Sequence, residues 1–323
     1  MCTAFSVIEQ DHYFGRNLDL DHHYNEKVTI TPRGYRFPYR HVKQPDSQYA
    51  MIGIATVLDG YPLYYEAVNE NGLCMAGLNF AGNAVYHPVD PNKTNIASFE
   101  FIPWVLQQCK NVFEAKKLIE DINLCNTSFR DDLPATALHW FIADKNKSIT
   151  VEPMTWGIEI TDNPVGILTN NPPFSYHCHN LSNYINLSSK QPINRFSKEL
   201  NLQPYSLGMG AIGLPGDFSS ASRFIRCAFI KENAVWGDNE EERISQIFHI
   251  LDGVSQFDGC VEAHFGYEKT LYSVCVNATR GMFYYTTYHN RQITVINMHN
   301  EDLNGMSPIV YPLIEKQQIK RQN

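Results

Sequence analysis

The sequence contains eight cysteines but no C-x-x-C pair. Closely spaced cysteine pairs are typical of zinc sites and redox motifs, so their absence argues against both. In a reducing compartment, an even number of scattered cysteines is no evidence for disulfides. We therefore expect seven of the eight to be small buried hydrophobic residues and treat only Cys2 as a candidate for chemistry.

Long apolar runs, an excess of basic charge and internal repeats are also missing. No stretch of about 18 apolar residues occurs, so no membrane span is expected. With 26 Lys and Arg against 34 Asp and Glu, the net charge of -8 argues against a general nucleic-acid binder. The first residues lack the basic and then apolar segments of a signal peptide, so we expect a cytoplasmic protein.

Histidine patterns offer little support for a metal site. His22-His23 and His177-x-His179 each lack the second pair of ligands that a zinc site needs, so neither metal nor cofactor is expected. His139 could partner a cysteine as in papain-like proteases, but no nucleophile motif accompanies it. A core histidine is therefore the favoured interpretation of this position.

The composition is that of a large globular protein, with 43% hydrophobic and 12% aromatic residues in 323. Length alone suggests about two domains. The pattern predicts strands near both ends, including a hairpin at Asn71-Gly72, and helices between them. Capping boxes begin two predicted helices, one at Asn111 before 112–122 and one at Asp238 with Glu241. This order favours one α+β domain over residues 1–323 in which both termini contribute strands.

Cys2 follows the initiator Met1. Removal of Met1 would leave a thiol and an α-amine on one residue, with unperturbed pKa values of about 8.5 and 8. The amine could then accept the thiol proton, which is the N-terminal nucleophile arrangement. A strand over 5–8 and a turn at 10–12 predict a hairpin that returns Arg16 and Asp19 to Cys2. An arginine stabilises thiolate, and an aspartate orients an amine.

The motifs of the whole chain resemble the choloylglycine hydrolase family, which comprises bile salt hydrolases and penicillin V acylases of the N-terminal nucleophile superfamily. The resemblance rests on MCTA, YFGRNLDLD, TPRGY, GLNF, LTNNP and GLPGD through SRF, in that order. It implies a four-layer αββα sandwich of two antiparallel sheets between helix layers. It also implies a homotetramer.

Carried over to this sequence, the resemblance implies that Cys2 is the nucleophile once Met1 is removed. It implies that Arg16 and Asp19 flank the sulfur and amine of Cys2, and that Asn79 and Asn170 are the two asparagines on the oxyanion side. Arg223 would be the second active-site arginine. Segments that line the family's substrate pocket contain five further candidates, each equally explicable as core. These are Leu20, Tyr24, Tyr65, Leu133 and Leu138.

The reaction implied is hydrolysis of the amide between a bile acid and glycine or taurine. Asn79 favours this branch, because the penicillin acylases commonly carry an aromatic residue there. The anionic substrate would be met locally by Arg16 and Arg223 rather than by net charge. The alternatives are a penicillin V acylase or broader N-acyl amidase and, from another class, a non-catalytic carrier of hydrophobic ligands.

Overall fold

The computed structural model describes residues 1–45 and 48–323. The strands of these residues, in chain order, are β1 (Cys2–Glu9), β2 (Asp11–Leu20), β3 (Lys27–Thr31), β4 (Met51–Leu58), β5 (Tyr61–Asn69), β6 (Cys74–Asn79), β7 (Thr94–Ala97), β8 (Ile122–Cys125), β9 (Leu138–Ala143), β10 (Ser148–Met154), β11 (Gly157–Asp162), β12 (Ile167–Leu168), β13 (Glu262–Ala263), β14 (Gly266–Tyr267), β15 (Lys269–Asn277), β16 (Met282–Thr287), β17 (Thr294–Asn297) and β18 (Ile309–Pro312). The helices are α1 (Phe101–Gln108), α2 (Val112–Ile119), α3 (Phe174–Leu181), α4 (Ser220–Asn233) and α5 (Glu240–Asp252).

Two antiparallel sheets form the centre of the described structure. The first has the strand order β12-β1-β2-β15-β16-β17, and the second has the order β11-β10-β9-β6-β5-β4-β3-β18. Because β18 pairs with β3, the C-terminal segment closes one edge of the sheet that residues near the N-terminus help to build. Strands that are far apart in the sequence therefore pair with one another within a sheet.

Helices cover the outer face of each sheet. On the first sheet, α5 packs against β2 and β15, and its apolar side chains Ile247 and Leu251 join the core there. On the second, α1 packs against β5 and β6 through residues that include Phe101 and Val105. The layers are thus helix, sheet, sheet and helix, and the predicted αββα sandwich is confirmed.

Two predicted hairpins position the N-terminal segment and its neighbours. β1 and β2 turn at Gln10, whose φ of 62° lies in the left-handed region. β5 and β6 turn through Gly72, with a φ of 84° that glycine adopts without steric cost. In the first hairpin Cys2 lies opposite Leu18, so the beginning of β1 is level with the end of β2.

Two predicted helix boundaries were wrong by one turn or less. α2 ends at Ile119 rather than 122, because Ile122 begins β8 and pairs with β7. The N-cap of α5 is Asn239, whose side chain accepts from the Glu242 amide, rather than Asp238. Either side chain can cap a helix, and each has a glutamate three residues later, so the local pattern did not separate them.

No described helix has the length and apolar character needed to span a bilayer.

Candidate active site

Cys2 begins β1 and is 3% exposed. The guanidinium of Arg16, on β2, lies against it, with Nη2 3.3 Å from the Cys2 Sγ. The antiparallel register brings this about, since Arg16 pairs with Ala4 two residues along from Cys2. The predicted proximity of the two side chains is therefore present, and a fixed positive charge faces the sulfur.

Arg16 is itself held by a buried carboxylate from the other sheet. Its Nη1 forms an ion pair with Glu66 on β5, and its Nη2 donates to the Gly77 carbonyl at 2.8 Å. The Tyr272 hydroxyl donates to the same Glu66 carboxylate at 3.0 Å. Burial alone would lower the pKa of Arg16, but the neighbouring Glu66 raises it above its usual value. Arg16 therefore stays charged although it is almost inaccessible to water.

Asp19 lies fully buried at the end of β2. Its Oδ1 accepts from the Thr270 hydroxyl at 2.6 Å, and its Oδ2 is 3.9 Å from the Arg223 guanidinium. Burial raises the pKa of Asp19, and the Arg223 charge opposes that rise. Among the described residues Oδ2 has no hydrogen-bond donor. One oxygen of this buried carboxylate is thus available to a new donor.

Met1 is present and occupies the space beside Asp19. Its ammonium donates to the Asp19 carbonyl at 2.6 Å and forms an ion pair with Glu268 at 2.9 Å. The Cys2 nitrogen, here a peptide amide, donates to Asn170 Oδ1 at 2.8 Å. Loss of Met1 would turn that amide into an α-amine that already has one hydrogen-bond acceptor.

Arg223 extends from the first turn of α4 to the N-terminal strand. Its Nη1 donates to the Cys2 carbonyl at 2.5 Å and to the Thr3 hydroxyl at 2.6 Å, and its Nη2 donates to Asn170 Oδ1 at 2.7 Å. Burial lowers the pKa of Arg223, while Asp19 opposes this. Arg16 and Arg223 are 1% and 0% exposed. Apart from Arg16 Nε, which has no partner among the described residues, their donors bind protein groups. A contact of either arginine with an anionic substrate stays a prediction.

The two asparagines differ in whether their side-chain N–H groups are free to donate to a substrate. Asn170 Nδ2 donates to the Asn79 carbonyl at 2.8 Å, and its backbone N–H donates to Ser220 Oγ at 2.8 Å. Asn79 is exposed, and its Oδ1 accepts from the Ala81 amide at 3.1 Å. Within residues 1–45 and 48–323 no acceptor is assigned to its Nδ2. Asn79 therefore has the freer amide, and Asn170 is already turned towards Cys2.

The candidate pocket residues lie in different segments of the structure, three of them on β2, β5 and β9. Leu20 follows Asp19 at the end of β2, and Leu138 lies opposite Asn79 in the β6–β9 register. Tyr24 and Tyr65 are joined through Thr56, whose hydroxyl contacts the Tyr24 carbonyl at 3.0 Å and the Tyr65 hydroxyl at 2.9 Å. Leu133 lies in the segment before β9, where its backbone bonds to Phe129 and Arg130 in a short turn.

Sequence reasoning missed Glu66, Tyr272 and Thr270. Glu66 carried a usable signal, because it is the one charged residue of β5, where the other residues before Asn69 are apolar or aromatic. An acid in such a strand is buried only if a cation accompanies it. Tyr272 and Thr270 have no comparable signal, since both are common residues of strands. Over the described residues, no group of three or more His, Cys, Asp or Glu side chains could hold a metal ion.

Comparison with known proteins agrees with the geometry of the site. A family model described as linear amide C–N hydrolases, choloylglycine hydrolase family, matches residues 2–311. A bile salt hydrolase/transferase from Lactiplantibacillus plantarum is 50% identical over 97% of each chain. Another of that name from Clostridium perfringens is 35% identical over 94% of each.

Comparison with solved structures gives a similar result. A crystal structure of a mutant conjugated bile acid hydrolase from Clostridium perfringens has a TM-score of 0.92 and 34% identity, covering 100% of both chains. A penicillin V acylase from Agrobacterium tumefaciens has a TM-score of 0.75 and 18% identity, covering 96% of this chain and 90% of that one. At that identity the second likeness concerns the fold alone.

Proposed function

Because the chain belongs to the choloylglycine hydrolase family of linear amide C–N hydrolases, we propose that it cleaves the amide bond between a bile acid and glycine or taurine. The observation that carries the proposal is the Arg16 guanidinium held 3.3 Å from the sulfur of Cys2, which becomes the first residue when Met1 is removed. The names of the relatives described above supply the substrate class.

In the first half of the reaction, the Cys2 sulfur attacks the amide carbonyl after Met1 has been removed. The α-amine of Cys2 takes the thiol proton, and Arg16 stabilises the negative charge on sulfur. A C–S bond forms, the carbonyl oxygen gains the negative charge, and Asn79 Nδ2 donates to it. Collapse of this intermediate breaks the C–N bond, and the α-ammonium gives its proton to the departing glycine or taurine nitrogen.

In the second half, water attacks the thioester that links Cys2 to the bile acyl group. The α-amine accepts a proton from this water, the C–S bond breaks, and the sulfur regains a proton as the free bile acid leaves. Asn170 Oδ1 and the unpaired Asp19 Oδ2 are the acceptors that would orient the amine through both halves. An amine in place of water at this step would transfer the acyl group instead.

Leu20 and Leu138 are the pocket candidates best supported by the structure, because each adjoins a proposed catalytic residue. Both are aliphatic, which suits the steroid body of a bile acid. The roles of Tyr24, Tyr65 and Leu133 in substrate binding stay predictions. So does the cytoplasmic location.

Incubation of the processed protein with glycocholate and taurocholate is expected to release glycine and taurine. Phenoxymethylpenicillin at the same concentration is expected to be cleaved more slowly, because the pocket serves a steroid in this proposal. The measurement is free amino acid for the bile salts and 6-aminopenicillanic acid for the penicillin. A preference for the penicillin would favour the acylase alternative. Binding without cleavage of any of the three by protein of confirmed N-terminus would favour the carrier.

We also propose that the chain forms one domain and assembles as a homotetramer. The pairing of β18 with β3, and of β15 with β2, supports a single unit. Support for assembly comes from the mostly irregular segment 185–212. Its apolar side chains are strongly exposed, at 80% for Ile185, 85% for Phe196 and 91% for Leu207. Apolar side chains concentrated in one exposed segment are typical of an interface, here with a second copy of the chain.

The assembly proposal predicts that Phe196→Asp combined with Leu207→Asp will convert tetramer to smaller species. A carboxylate at each position would have to be buried without a partner in the interface. Light scattering coupled to size-exclusion chromatography measures the mass. Val235→Asp, at an 86% exposed position outside the segment, serves as the matched control and should leave the mass unchanged. A monomeric wild type would contradict the proposal.

A further inference from the structure

Two histidines lie fully buried directly beneath the proposed active site. His139 is in β9 and His177 is in α3, and both are 0% exposed. The proposed reaction uses neither of them. His139 contacts the main chain next to Asn170, and His177 contacts the main chain of Asn170 itself.

His139 joins the two segments that carry the asparagines. Its Nε2 donates to the Thr169 carbonyl at 2.9 Å, immediately before Asn170. Its ring stacks on Phe80, immediately after Asn79, with 4.2 Å between centroids and 7° between planes. One side chain thus contacts the neighbour of each asparagine, one by a hydrogen bond and the other by an aromatic stack.

Glu152 fixes the orientation of the His139 ring. It lies on β10, is 3% exposed, and its Oε1 is 3.0 Å from His139 Nδ1. The same carboxylate accepts from the Phe174 amide at 3.0 Å, at the beginning of α3. Because the Thr169 carbonyl can only accept, His139 Nε2 is the donor in that contact, and Nδ1 faces the Glu152 carboxylate. The ring can therefore neither flip nor rotate without losing both partners.

His177 makes the corresponding contacts on the other side of Asn170. Its Nε2 donates to the Asn170 carbonyl at 2.9 Å. Its ring stacks on Phe224, the residue after Arg223, with 4.8 Å between centroids and 17° between planes. Its Nδ1 is buried and has no partner among the described residues, as expected of a neutral ring that donates only through Nε2. Burial lowers the pKa of His177, which agrees with that form.

We propose that His139 and His177 are positioning residues that hold Asn79, Asn170 and Arg223 in their reactive arrangement from the inner side of the site. The inference rests on the proposed function. Its physical basis is the narrow range of useful geometry, since oxyanion donors act at about 2.7–3.1 Å and a misplacement of about 1 Å can cost about a hundredfold in rate. The hydrogen bonds restrain the Asn170 main chain, and the stacks restrain the neighbours of Asn79 and Arg223.

The test uses His139→Phe and His177→Phe, which retain an aromatic ring for stacking and lose the hydrogen bonds. His139→Gln and His177→Gln retain an N–H donor. His12→Phe is the matched control, because His12 is also buried, also bonded through Nε2 and also has an unpartnered Nδ1. It lies at the opposite end of the β1–β2 hairpin from Cys2. All are assayed as processed protein with glycocholate, corrected for the folded fraction.

We expect kcat to fall about tenfold or more in both Phe variants, with KM within about twofold of the wild type. The Gln variants should recover part of that loss. His12→Phe should lower the melting temperature while leaving kcat unchanged. Equal loss of kcat in His12→Phe, or unchanged kcat in both His139→Phe and His177→Phe, would overturn the proposal and leave an ordinary core role.

Crystal structures of the same variants test the positioning role independently of the proposed function. The Asn170 Nδ2–Asn79 O and Cys2 N–Asn170 Oδ1 contacts, both 2.8 Å here, should lengthen in His139→Phe or His177→Phe and persist in His12→Phe. If the wild type fails to hydrolyse bile salts, the proposed function is wrong, and these distances alone decide the positioning role. Unchanged distances in both Phe variants would reject it.

Discussion

Replacement of Cys2 by alanine is expected to abolish amide hydrolysis, with kcat reduced by at least about 10⁴-fold. The reaction proposed here passes through a thioester, and no other described thiol contacts Arg16. The side chain is small and lies at the end of a strand, so the fold should persist. Release of glycine from glycocholate measures the loss, and circular dichroism checks the fold.

Cys260→Ala is the matched control for this prediction. Cys260 is an exposed free cysteine, and its removal should leave kcat unchanged. N-terminal mass analysis of every sample is part of the experiment, because protein that retains Met1 has no α-amine at Cys2 and should be inactive for that reason. Undiminished release of glycine by processed Cys2→Ala would exclude the cysteine mechanism altogether.

Replacement of Arg16 by leucine is expected to lower both activity and stability. The substitution leaves Glu66 buried without its cation, and removing one partner of a buried pair costs about 3–5 kcal/mol of unfolding free energy. Activity should fall by about a hundredfold or more, since the charge beside the sulfur is lost. Denaturant unfolding and the glycocholate assay measure the two effects separately.

The double variant Arg16→Leu/Glu66→Leu distinguishes these effects. Replacing both members of a buried pair by apolar residues is often close to neutral, so stability should largely return. Activity should not return, because the double variant still lacks a positive charge beside the Cys2 sulfur. Recovery of activity together with stability would mean that Arg16 serves the fold alone. No recovery of stability would mean that the Tyr272 and Gly77 contacts of Arg16 matter more than the ion pair.

The N-terminal part of the site could be predicted from the sequence because its residues are close to one another along the chain. Cys2, Arg16 and Asp19 lie on two strands joined by one turn, and the spacing of residues across an antiparallel hairpin follows from the position of that turn. The observed register, with Cys2 opposite Leu18, agrees with this. The resemblance to a known family supplied Asn79, Asn170 and Arg223, which no local spacing connects to Cys2.

Helix boundaries show where local sequence patterns are not sufficient to predict the structure. The N-cap at Asn111 was correct, because a single good cap residue with Glu114 three residues later stood alone. The reciprocal bond of a capping box is replaced by one from the Lys110 amide to the Glu114 carboxylate. Before α5, Asp238 and Asn239 both satisfied the same rule, and the structure uses the second. The end of α2 was set by the pairing of β8 with β7, which is a tertiary event.

The sequence by itself determined an α+β chain rich in strands at both ends, and a short hairpin with a cysteine, an arginine and an aspartate at one end. Those features depend on alternation, turn residues and spacing within about twenty positions. Only the tertiary structure decided that Glu66 holds Arg16, that Thr270 holds Asp19, and that both arginines point into the protein. These contacts join residues 50 or more positions apart. The first exists because the two sheets pack together, and the second because β15 pairs with β2. No pattern within one strand encodes either arrangement.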